Sequence, residues 1–188
     1  VLDDGSTDNS RAVIGGFSGD DRFSYKSREN RGGNVTRNEL FRMSKGEYIQ
    51  WLDADDILLP DKISKQIKGF ENGYDMVFCD YSVFTKASSG GAVRKLPILG
   101  EDLLAYFIRE SVITMLPLHK RKDLNAVGGF NEDLGCCQEY ELHLRLAQTQ
   151  WKNVKKVNEA LCEKRILGDS ISANEACTYS TMAELAFQ

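Results

Sequence analysis

The sequence lacks several features that would place it in a specialised class of protein. No stretch approaches the roughly 20 consecutive apolar residues that a membrane-spanning helix needs. There is no basic stripe and the formal net charge is -4 at pH 7, so nucleic acid is not an expected partner. There is also no internal repeat, low-complexity tract or linker-like segment. The 188 residues are therefore expected to form one globular domain with a core of its own.

Cysteine is present without the spacing that would organise a fold. The five cysteines include no C-x-x-C pair, and an odd number of this kind offers no disulfide framework. Such a set is typical of a reducing compartment. We interpret the adjacent Cys136 and Cys137 as small apolar side chains, with a redox-active pair as the alternative.

Short apolar segments alternate with helical patterns over the first 80 residues. The predicted strands are 1–2, 22–26, 47–52 and 74–79. The predicted helices are 9–17, 34–45 with Asn34 as the N-cap, and 60–72. This alternation predicts an α/β sandwich with a parallel sheet. Because Val1 lies inside a predicted strand, we expect further chain to precede it.

The remainder of the chain is less regular in pattern. We predict helices at 101–110 and 138–148, and at least one strand within 152–165. Residues 85–92 are rich in serine and glycine and predict a loop or hairpin turn. The last twenty residues are expected to form a loop and a helix.

Two clusters of carboxylates follow predicted strands. Asp3 and Asp4 follow the first strand, and Asp53, Asp55 and Asp56 follow the third. Gathering carboxylates costs free energy unless a cation is among them, and Mg²⁺ and Mn²⁺ prefer oxygen ligands. Ligands of parallel sheets bind at the carboxyl ends of strands, so the clusters predict a divalent cation with a nucleotide diphosphate. The alternative is that these aspartates only shape turns or cap helices.

Six segments between residues 1 and 146 share their order and residue types with one enzyme family. They are Val-Leu-Asp-Asp-Gly-Ser-Thr-Asp at 1–8, Asn-Arg-Gly at 30–32, Thr-Arg-Asn at 36–38, Gly-Glu-Tyr-Ile-Gln-Trp-Leu-Asp-Ala-Asp-Asp-Ile-Leu-Leu-Pro at 46–60, Val-Gly-Gly-Phe-Asn-Glu-Asp-Leu-Gly at 127–135 and Gln-Glu-Tyr-Glu-Leu-His-Leu-Arg-Leu at 138–146. The set resembles the inverting glycosyltransferases of family 2 (GT2), which have the GT-A fold. The resemblance implies a three-layer α/β/α sandwich with a mixed, mainly parallel sheet.

The resemblance also implies how the chain is organised. Residues 1–188 would form a single GT-A domain, with a nucleotide-binding part at 1–80 and an acceptor and catalytic part at 81–188. The family's opening strand, with its Pro-Thr-Tyr-Asn type motif, would precede Val1, so the domain is expected to be incomplete at its N-terminus.

Carried onto the matching positions, the resemblance implies roles for the acidic clusters. Asp4 would meet the nucleotide base, typically uracil, and Arg37 would lie near the nucleotide, where its fixed charge suits a diphosphate. Asp53 would reach the ribose or the metal, and Asp55 would ligate the metal directly. Asp56 is expected to cap the following helix.

Glu139 occupies the place of the family's acidic catalytic base. Glu132 and Asp133 are the alternative bases, and we interpret them as solvated loop residues. His143 shares a helix face with Glu139, and we interpret it as a packing residue. Leu167 stands where relatives often carry a histidine that approaches the metal, so the metal would rely on Asp55, diphosphate and water.

These implications predict a metal-dependent inverting glycosyltransferase, an enzyme of class EC 2.4. It would use Mn²⁺ or Mg²⁺ and move a sugar from a nucleotide-sugar, preferentially a UDP-sugar, to the hydroxyl of a glycan or a lipid-linked acceptor. One alternative is a non-catalytic module that binds nucleotide-sugars or glycans. Another is a nucleotidyltransferase, against which the lack of a glycine-rich phosphate loop with a lysine counts.

The expected partners are the nucleotide-sugar donor and a saccharide or lipid-linked acceptor. The resemblance implies that the protein takes part in polysaccharide biosynthesis in the cytoplasm. One alternative is that it is peripherally associated with the inner face of the membrane. We interpret the basic segment Lys120-Arg121-Lys122 as a solvated helix start, with contact to an acceptor or lipid phosphate as the alternative.

Overall fold

The computed structural model describes residues 1–85, 91–100 and 102–166, together with Met182 and Leu185. The chain divides into two compact units, Val1–Lys45 and Gly46–Gln188. Within the described ranges, no helix has the length and apolar character that crossing a membrane requires.

The first unit is a small α/β unit around a pair of parallel strands. Its elements are strand β1 (Leu2–Asp4), helix α1 (Ser10–Gly15), strand β2 (Lys26–Arg28) and helix α2 (Gly33–Met43). Leu2 lies opposite Lys26, and Asp4 lies opposite Arg28. The parallel register brings the carboxyl ends of both strands to the same edge, so Asp4 and the loop that follows β2 meet there.

The strand predicted at 22–26 begins only at Lys26. The reason is a turn: the carbonyl of Asp20 accepts a hydrogen bond from the amide of Phe23 at 2.8 Å, and its carboxylate accepts one from the amide of Arg22 at 2.8 Å. Aspartate favours such local bonds over a strand ladder, and this signal was overlooked in the alternating pattern.

The prediction that Asn34 caps α2 is wrong. The helix begins at Gly33, Gly32 is its N-cap residue, and Asn34 lies buried in the first turn. Gly32 has φ of 89°, a backbone conformation that glycine adopts readily and other residues rarely adopt. The backbone at the N-cap position therefore favours glycine, and Asn34 packs inside the first turn of the helix instead of capping it.

The second unit carries the larger sheet and four helices in the described ranges. Its strands are β3 (Tyr48–Ile49), β4 (Ile57–Leu58), β5 (Met76–Phe84), β6 (Val93–Arg94), β7 (His119–Lys120) and β8 (Val154–Arg165). Its helices are α3 (Lys62–Glu71), α4 (Leu103–Arg109), α5 (Arg121–Val127) and α6 (Gln138–Thr149). The helices predicted at 60–72, 101–110 and 138–148 and the strand within 152–165 are thus confirmed.

The four-stranded sheet is mixed, as predicted. Its order is β4-β8-β5-β6, with β5 and β8 parallel at the centre and β4 and β6 antiparallel at the edges. β3 and β7 form a separate antiparallel pair. Most of the loop predicted at 85–92 and of the final twenty residues lies outside the described residues.

The strand predicted at 47–52 is limited to Tyr48 and Ile49. Beyond them the side chain of Gln50 takes over the role of a strand partner. Its Nε2 donates to the carbonyl of Met115 at 3.0 Å. A side-chain amide therefore joins this segment to residues 114–116, where a longer ladder had been predicted.

Helix α3 packs closely on the centre of the sheet. Met76, Val77, Phe78 and Cys79 of β5 are fully buried. A Cβ atom at Gly69 of α3 would lie 2.6 Å from the Cγ2 of Val77, so only glycine permits this approach. The helix is thereby held closely against β5.

Candidate active site

The first unit places Asp4 at the end of β1 against the loop that precedes α2. Its carboxylate accepts hydrogen bonds from the amides of Arg31 at 3.1 Å and Gly32 at 2.9 Å. The guanidinium of Arg28 lies 2.9 Å from the same carboxylate. Asp4 therefore orders the Asn-Arg-Gly loop and remains partly exposed.

Asp3 has a structural role in the same turn. Its side chain is buried and accepts hydrogen bonds from the Ser6 amide at 2.8 Å, the Arg11 Nε at 2.8 Å and the Ser27 hydroxyl at 2.9 Å. The bonds from Ser6, followed by the one from Arg11, hold the pKa of Asp3 far below its usual range. For Asp3 the alternative interpretation, an aspartate that shapes a turn, accounts for all its contacts.

Arg37 lies in the middle of α2 and is partly exposed. The same helix buries Asn34, Asn38 and Phe41, so Arg37 lies on a less buried part of the helix surface. Its role in nucleotide binding stays a prediction.

The second unit places Asp53, Asp55 and Asp56 in the turn between β3 and β4. The turn is closed by a hydrogen bond from the Asp56 amide to the Asp53 carbonyl at 3.2 Å. Arg165, at the end of β8, holds it from outside: its Nε donates to the Asp55 carbonyl at 3.1 Å and its amide to the Asp56 carboxylate at 3.1 Å. The conformation of the acidic turn thus depends on the C-terminal end of the central strand β8.

The expectation that Asp56 caps the following helix is wrong. Helix α3 begins at Lys62 with Asp61 as its N-cap residue. The carboxylate of Asp56 instead accepts a hydrogen bond from the amide of Arg165. It does not reach the helix because β4 lies between the acidic turn and α3.

The acidic turn concentrates negative charge. Burial, together with smaller contributions from the nearby charges of Asp55 and Asp53, raises the pKa of Asp56 to about 6. Asp53 and Asp55 themselves are partly exposed. The negative charges of these aspartates repel one another, and a bound divalent cation would offset this repulsion. Asp53 and Asp55, which are accessible, are suited to bind such a cation.

The geometry favours a cation site that is completed by other ligands. Among the residues that the structure describes, no group of three or more histidine, cysteine, aspartate or glutamate side chains is arranged to hold a metal. Mg²⁺ and Mn²⁺ are commonly held by one or two carboxylates together with phosphate oxygens and water. Asp53 and Asp55 fit that mode, and Leu167, the position at which relatives often have histidine, lies outside the described residues.

Glu139 lies in the first turn of α6, where the helix dipole favours a carboxylate. Its Oε1 accepts a hydrogen bond from the hydroxyl of Thr114. The residue before the helix, Cys137, has φ of 57°, a left-handed conformation that is uncommon for residues other than glycine. The carboxylate is partly buried at this helix start and is held by a neighbouring segment.

Glu141 points away from Glu139, as the helical spacing predicts. It is buried and forms an ion pair at 2.6 Å with Arg145, which is partly exposed. Arg145 also donates to the carbonyls of Val127 at 2.5 Å and Gly129 at 2.8 Å. This pair anchors the Val-Gly-Gly segment to α6 and is structural.

The other candidates singled out in the sequence take mostly structural positions. Glu132 and Asp133 are exposed in the loop before α6. Helix α5 starts at Arg121, as expected, whereas Lys120 is partly buried and donates to the Tyr74 carbonyl at 2.7 Å. His143 is buried in an aromatic cluster with His119, Phe107 and Trp151, which accords with a packing role.

The cysteines do not form one uniform set. Cys79, Cys137 and Cys162 are free thiols, whereas Cys136 is disulfide-bonded. The interpretation of Cys136 as a small apolar side chain is therefore wrong, and the expectation of fully reduced cysteines does not hold for this residue. Cys79 and Cys162 are fully buried with their sulfur atoms 3.8 Å apart.

Sequence reasoning missed a buried polar group next to the acidic turn. Lys62 is completely buried, and its Nζ donates to the side-chain carbonyls of Gln50 and Gln66. Gln66 in turn donates to the carbonyls of Val77 at 2.9 Å and Leu116 at 2.8 Å. One signal was available: Lys62, Gln66 and the buried Phe70 lie four residues apart on one helix face.

Comparison with known proteins decides the family. The model of the family described as Glycosyl transferase family 2 matches residues 1–126. The chain belongs to this family. The match includes both acidic clusters and ends before Glu139. The prediction that the chain is a glycosyltransferase of family 2 is thus confirmed.

Curated relatives of this GT2 domain are glycosyltransferases of larger size. Chondroitin synthase of Pasteurella multocida (strain Pm70) is 28% identical over 180 residues, covering 92% of this chain and 18% of that protein. The putative teichuronic acid biosynthesis glycosyltransferase TuaG of Bacillus subtilis (strain 168) is 27% identical over 187 residues, covering 93% of this chain and 69% of that protein. The chain thus spans less than a fifth of the length of the synthase.

Solved structures confirm the GT-A fold of the GT2 domain. S. aureus TarS 1-349 in complex with UDP superposes with a TM-score of 0.73 at 16% identity, covering 99% of this chain and 54% of that chain. The mannosyltransferase PcManGT from Pyrobaculum calidifontis, in complex with GDP-Man and Mn²⁺, gives a TM-score of 0.65 at 16% identity, covering 98% and 52%. At these identities the likeness establishes the fold alone.

Proposed function

We propose that the protein is a metal-dependent inverting glycosyltransferase that moves a sugar from a nucleotide-sugar, preferentially a UDP-sugar, to an acceptor hydroxyl. The observation that carries the proposal is the acidic turn, in which Asp53 and Asp55 stay accessible beside a carboxyl group whose pKa burial raises to about 6. Carboxylates gathered in this way can bind a divalent cation, which in turn binds a diphosphate. The complexes of TarS with UDP and of PcManGT with GDP-Man and Mn²⁺ support this choice of ligands.

In the first unit, Asp4 and Arg37 are proposed to bind the nucleotide. Asp4 already accepts hydrogen bonds from the loop amides of Arg31 and Gly32, and its partly exposed carboxylate would accept one more from the N–H of a uracil base. Arg37 would supply a fixed positive charge near the nucleotide. The ordered loop would reduce the entropy lost when the nucleotide binds.

In the second unit, Asp55 is proposed to ligate Mn²⁺ or Mg²⁺ directly, and Asp53 to contact either the ion or the ribose. Arg165 would keep the turn in shape by bonding to the Asp55 carbonyl and the Asp56 carboxylate. When bound, the cation would neutralise charge that develops on the leaving diphosphate. Phosphate oxygens and water would complete its coordination.

Glu139 is proposed to act as the catalytic base. Its carboxylate would take the proton of the acceptor hydroxyl as the acceptor oxygen bonds to the anomeric carbon and the bond to the diphosphate breaks. Attack opposite the leaving group inverts the anomeric configuration, and no carboxylate nucleophile is needed. A positioned base of this kind contributes about 10²- to 10⁴-fold to the rate.

The acceptor is proposed to be a growing glycan or a lipid-linked saccharide. The support is that curated relatives include chondroitin synthase and a putative teichuronic acid biosynthesis enzyme. Reaction with such an acceptor would place the protein in the cytoplasm, in part at the inner face of the membrane.

The test is a donor screen with the full-length protein. Thermal shifts and nucleoside diphosphate release would be measured with UDP-glucose, UDP-N-acetylglucosamine, UDP-N-acetylgalactosamine and GDP-mannose, with Mn²⁺ or with EDTA. We expect one UDP-sugar to stabilise the protein and to be turned over in the presence of Mn²⁺ but not in EDTA. Binding without turnover across a panel of acceptors would instead favour the non-catalytic binding module, and pyrophosphate release from UTP would favour the nucleotidyltransferase.

A further inference from the structure

We propose that Thr114 is a positioning residue that holds the catalytic base in its reactive orientation. The inference rests on the proposed function, since it takes Glu139 to be that base. Thr114 lies in the segment between α4 and β7, and its hydroxyl donates a hydrogen bond to the Oε1 of Glu139. Thr114 is 5% exposed, so it is a buried residue in contact with Glu139.

The bond matters because the last torsion of a glutamate side chain is loosely determined. Rotation about the bond that carries the carboxyl group is broad and has no sharp staggered minima. A hydrogen bond to one oxygen selects one rotation and thereby also places the other oxygen. Since proton transfer requires a heavy-atom separation of about 2.6–3.2 Å, orientation of the carboxylate directly affects the rate.

Thr114 can only position Glu139 if its own backbone is held, and the next two residues are held strongly. Met115 and Leu116 are fully buried. The Met115 carbonyl accepts from the Nε2 of Gln50 at 3.0 Å, and the Leu116 carbonyl accepts from the Nε2 of Gln66 at 2.8 Å. Two glutamine side chains from different elements therefore hold the segment.

Lys62 determines which way both glutamines point. Its Nζ donates to the Oε1 of Gln50 and to the Oε1 of Gln66. A lysine side chain has no acceptor when protonated, so both amide oxygens must face it. Both amide nitrogens are then directed toward the carbonyls of Met115 and Leu116. The Lys62 amine has at least two hydrogens whether or not it is protonated, so it can donate both hydrogen bonds in either state.

The outcome is a continuous chain of contacts from the acidic turn to the base. Gln50 lies three residues before Asp53 and bonds to Met115, which follows Thr114, and Thr114 bonds to Glu139. All these residues belong to the second unit. The same buried group thus supports the residues proposed to bind the metal and the residue proposed to take the proton.

The test uses Thr114→Val, which keeps the shape and removes the donor, and Thr114→Ser, which keeps the donor. We expect kcat of Thr114→Val to fall about 10-fold or more, while the donor KM and the Kd for UDP with Mn²⁺ stay within about two-fold. Thr114→Ser should restore kcat to within about three-fold of the wild type. Thr149→Val is the matched control, because the Thr149 hydroxyl donates to the Arg145 carbonyl at the other end of α6.

A double-mutant cycle with Glu139→Gln separates positioning from a merely structural role. If Thr114 acts through Glu139, Thr114→Val should cause no further loss of kcat in the Glu139→Gln background. An equal loss in both backgrounds would overturn the inference, as would Thr114→Ser being as slow as Thr114→Val. If Thr114→Val does not fold, Thr114→Ala is compared with Thr114→Ser by the same criteria.

The cycle also keeps two failures apart. If Glu139→Gln turns over normally, the assignment of the base fails and the inference fails with it. If Glu139→Gln is slow but Thr114→Val is as fast as the wild type, only the inference about Thr114 fails.

Discussion

The imidazole rings of His119 and His143 face each other inside the second unit, with their Nε2 atoms 3.2 Å apart. Both rings are buried and pack against Trp151. They are the only two histidines of the chain. Every histidine effect on stability between pH 5 and 7 therefore arises from this pair.

The histidine pair predicts loss of stability in mild acid. Burial lowers the pKa of His143 to about 3, and burial, followed by the charges of His143 and Lys62, lowers that of His119 well below its usual value. Because the unfolded histidines take up protons near pH 6.5, the free energy of unfolding should fall as the pH drops from about 6.5 toward 3. Asp56, with its raised pKa, opposes this in part below about pH 6.

Urea unfolding at pH 7.5, 6 and 5 measures this effect. His143→Leu should make the free energy of unfolding depend less on pH over this range, whatever its effect at pH 7.5. An unchanged slope in the variant would contradict the assignment of the acid sensitivity to the pair.

Replacement of Asp56 by asparagine should stabilise the protein in a pH-dependent way. Asparagine keeps an oxygen acceptor for the Arg165 amide but removes a charge that burial and the neighbouring aspartates disfavour. Since the folded pKa is raised from 3.8 to about 6, the ionised form is costly above pH 6, and the cost declines as the pH falls from about 6 toward 3.8. In EDTA, Asp56→Asn should raise Tm more at pH 8 than at pH 5. Equal changes at both pH values would show that the charge is not responsible.

Loss of the proposed metal ligand should abolish the response to the cation. We expect Asp55→Asn to lower transfer about 100-fold or more and to remove its dependence on Mn²⁺, because a neutral amide is a poorer ligand for a hard cation. Titration of Mn²⁺ against nucleoside diphosphate release checks this. Asp61→Asn, at the exposed N-cap of α3, is the control and should titrate like the wild type. A normal Mn²⁺ response in Asp55→Asn would remove this residue from the metal site.

The Glu141–Arg145 pair should be sensitive to a change that keeps its charge. Arg145 donates to the Glu141 carboxylate and to the carbonyls of Val127 and Gly129. Lysine has no planar fork and cannot repeat this pattern, so Arg145→Lys should lower the free energy of unfolding by about 1–3 kcal/mol. Arg22→Lys, in an exposed pair with Asp20, is the control and should leave the free energy of unfolding nearly unchanged, because solvent screens this pair. Equal small losses in both variants would contradict the structural role of Arg145.

The positions of the acidic turn and of Glu139 at a helix start could be predicted because their signals are local. Asp53 and Asp55 directly follow a strand-like segment, and Glu139 opens an amphipathic helix pattern. Most helices and the longer strands were predictable for the same reason, whereas the two-residue strands β4, β6 and β7 were missed because so short a segment has no clear pattern. The chemistry assigned to these residues came from the family resemblance and stays a proposal.

The supporting group could not be predicted because it depends on contacts between distant parts of the chain. Gln50 and Met115 are 65 positions apart, and Gln66 and Leu116 are 50 apart. A lysine in an amphipathic helix is normally exposed, so the helix face that Lys62 shares with Gln66 and Phe70 was too weak a signal to place its amine in the core. The exact ends of β2 and β3 were missed for a related reason, since side chains of Asp20 and Gln50 replaced the expected backbone pairing.

The variant Glu139→Gln tests whether Glu139 removes the proton of the acceptor hydroxyl during transfer. In Glu139→Gln, the amide oxygen can still accept the hydrogen bond of Thr114, so the local structure is expected to persist. The Kd for UDP with Mn²⁺ and the initial rate of transfer would be measured on the same preparation of the full-length protein. We expect the Kd to stay within about two-fold and the rate to fall about 10²- to 10⁴-fold. Turnover equal to that of the wild type would contradict the account.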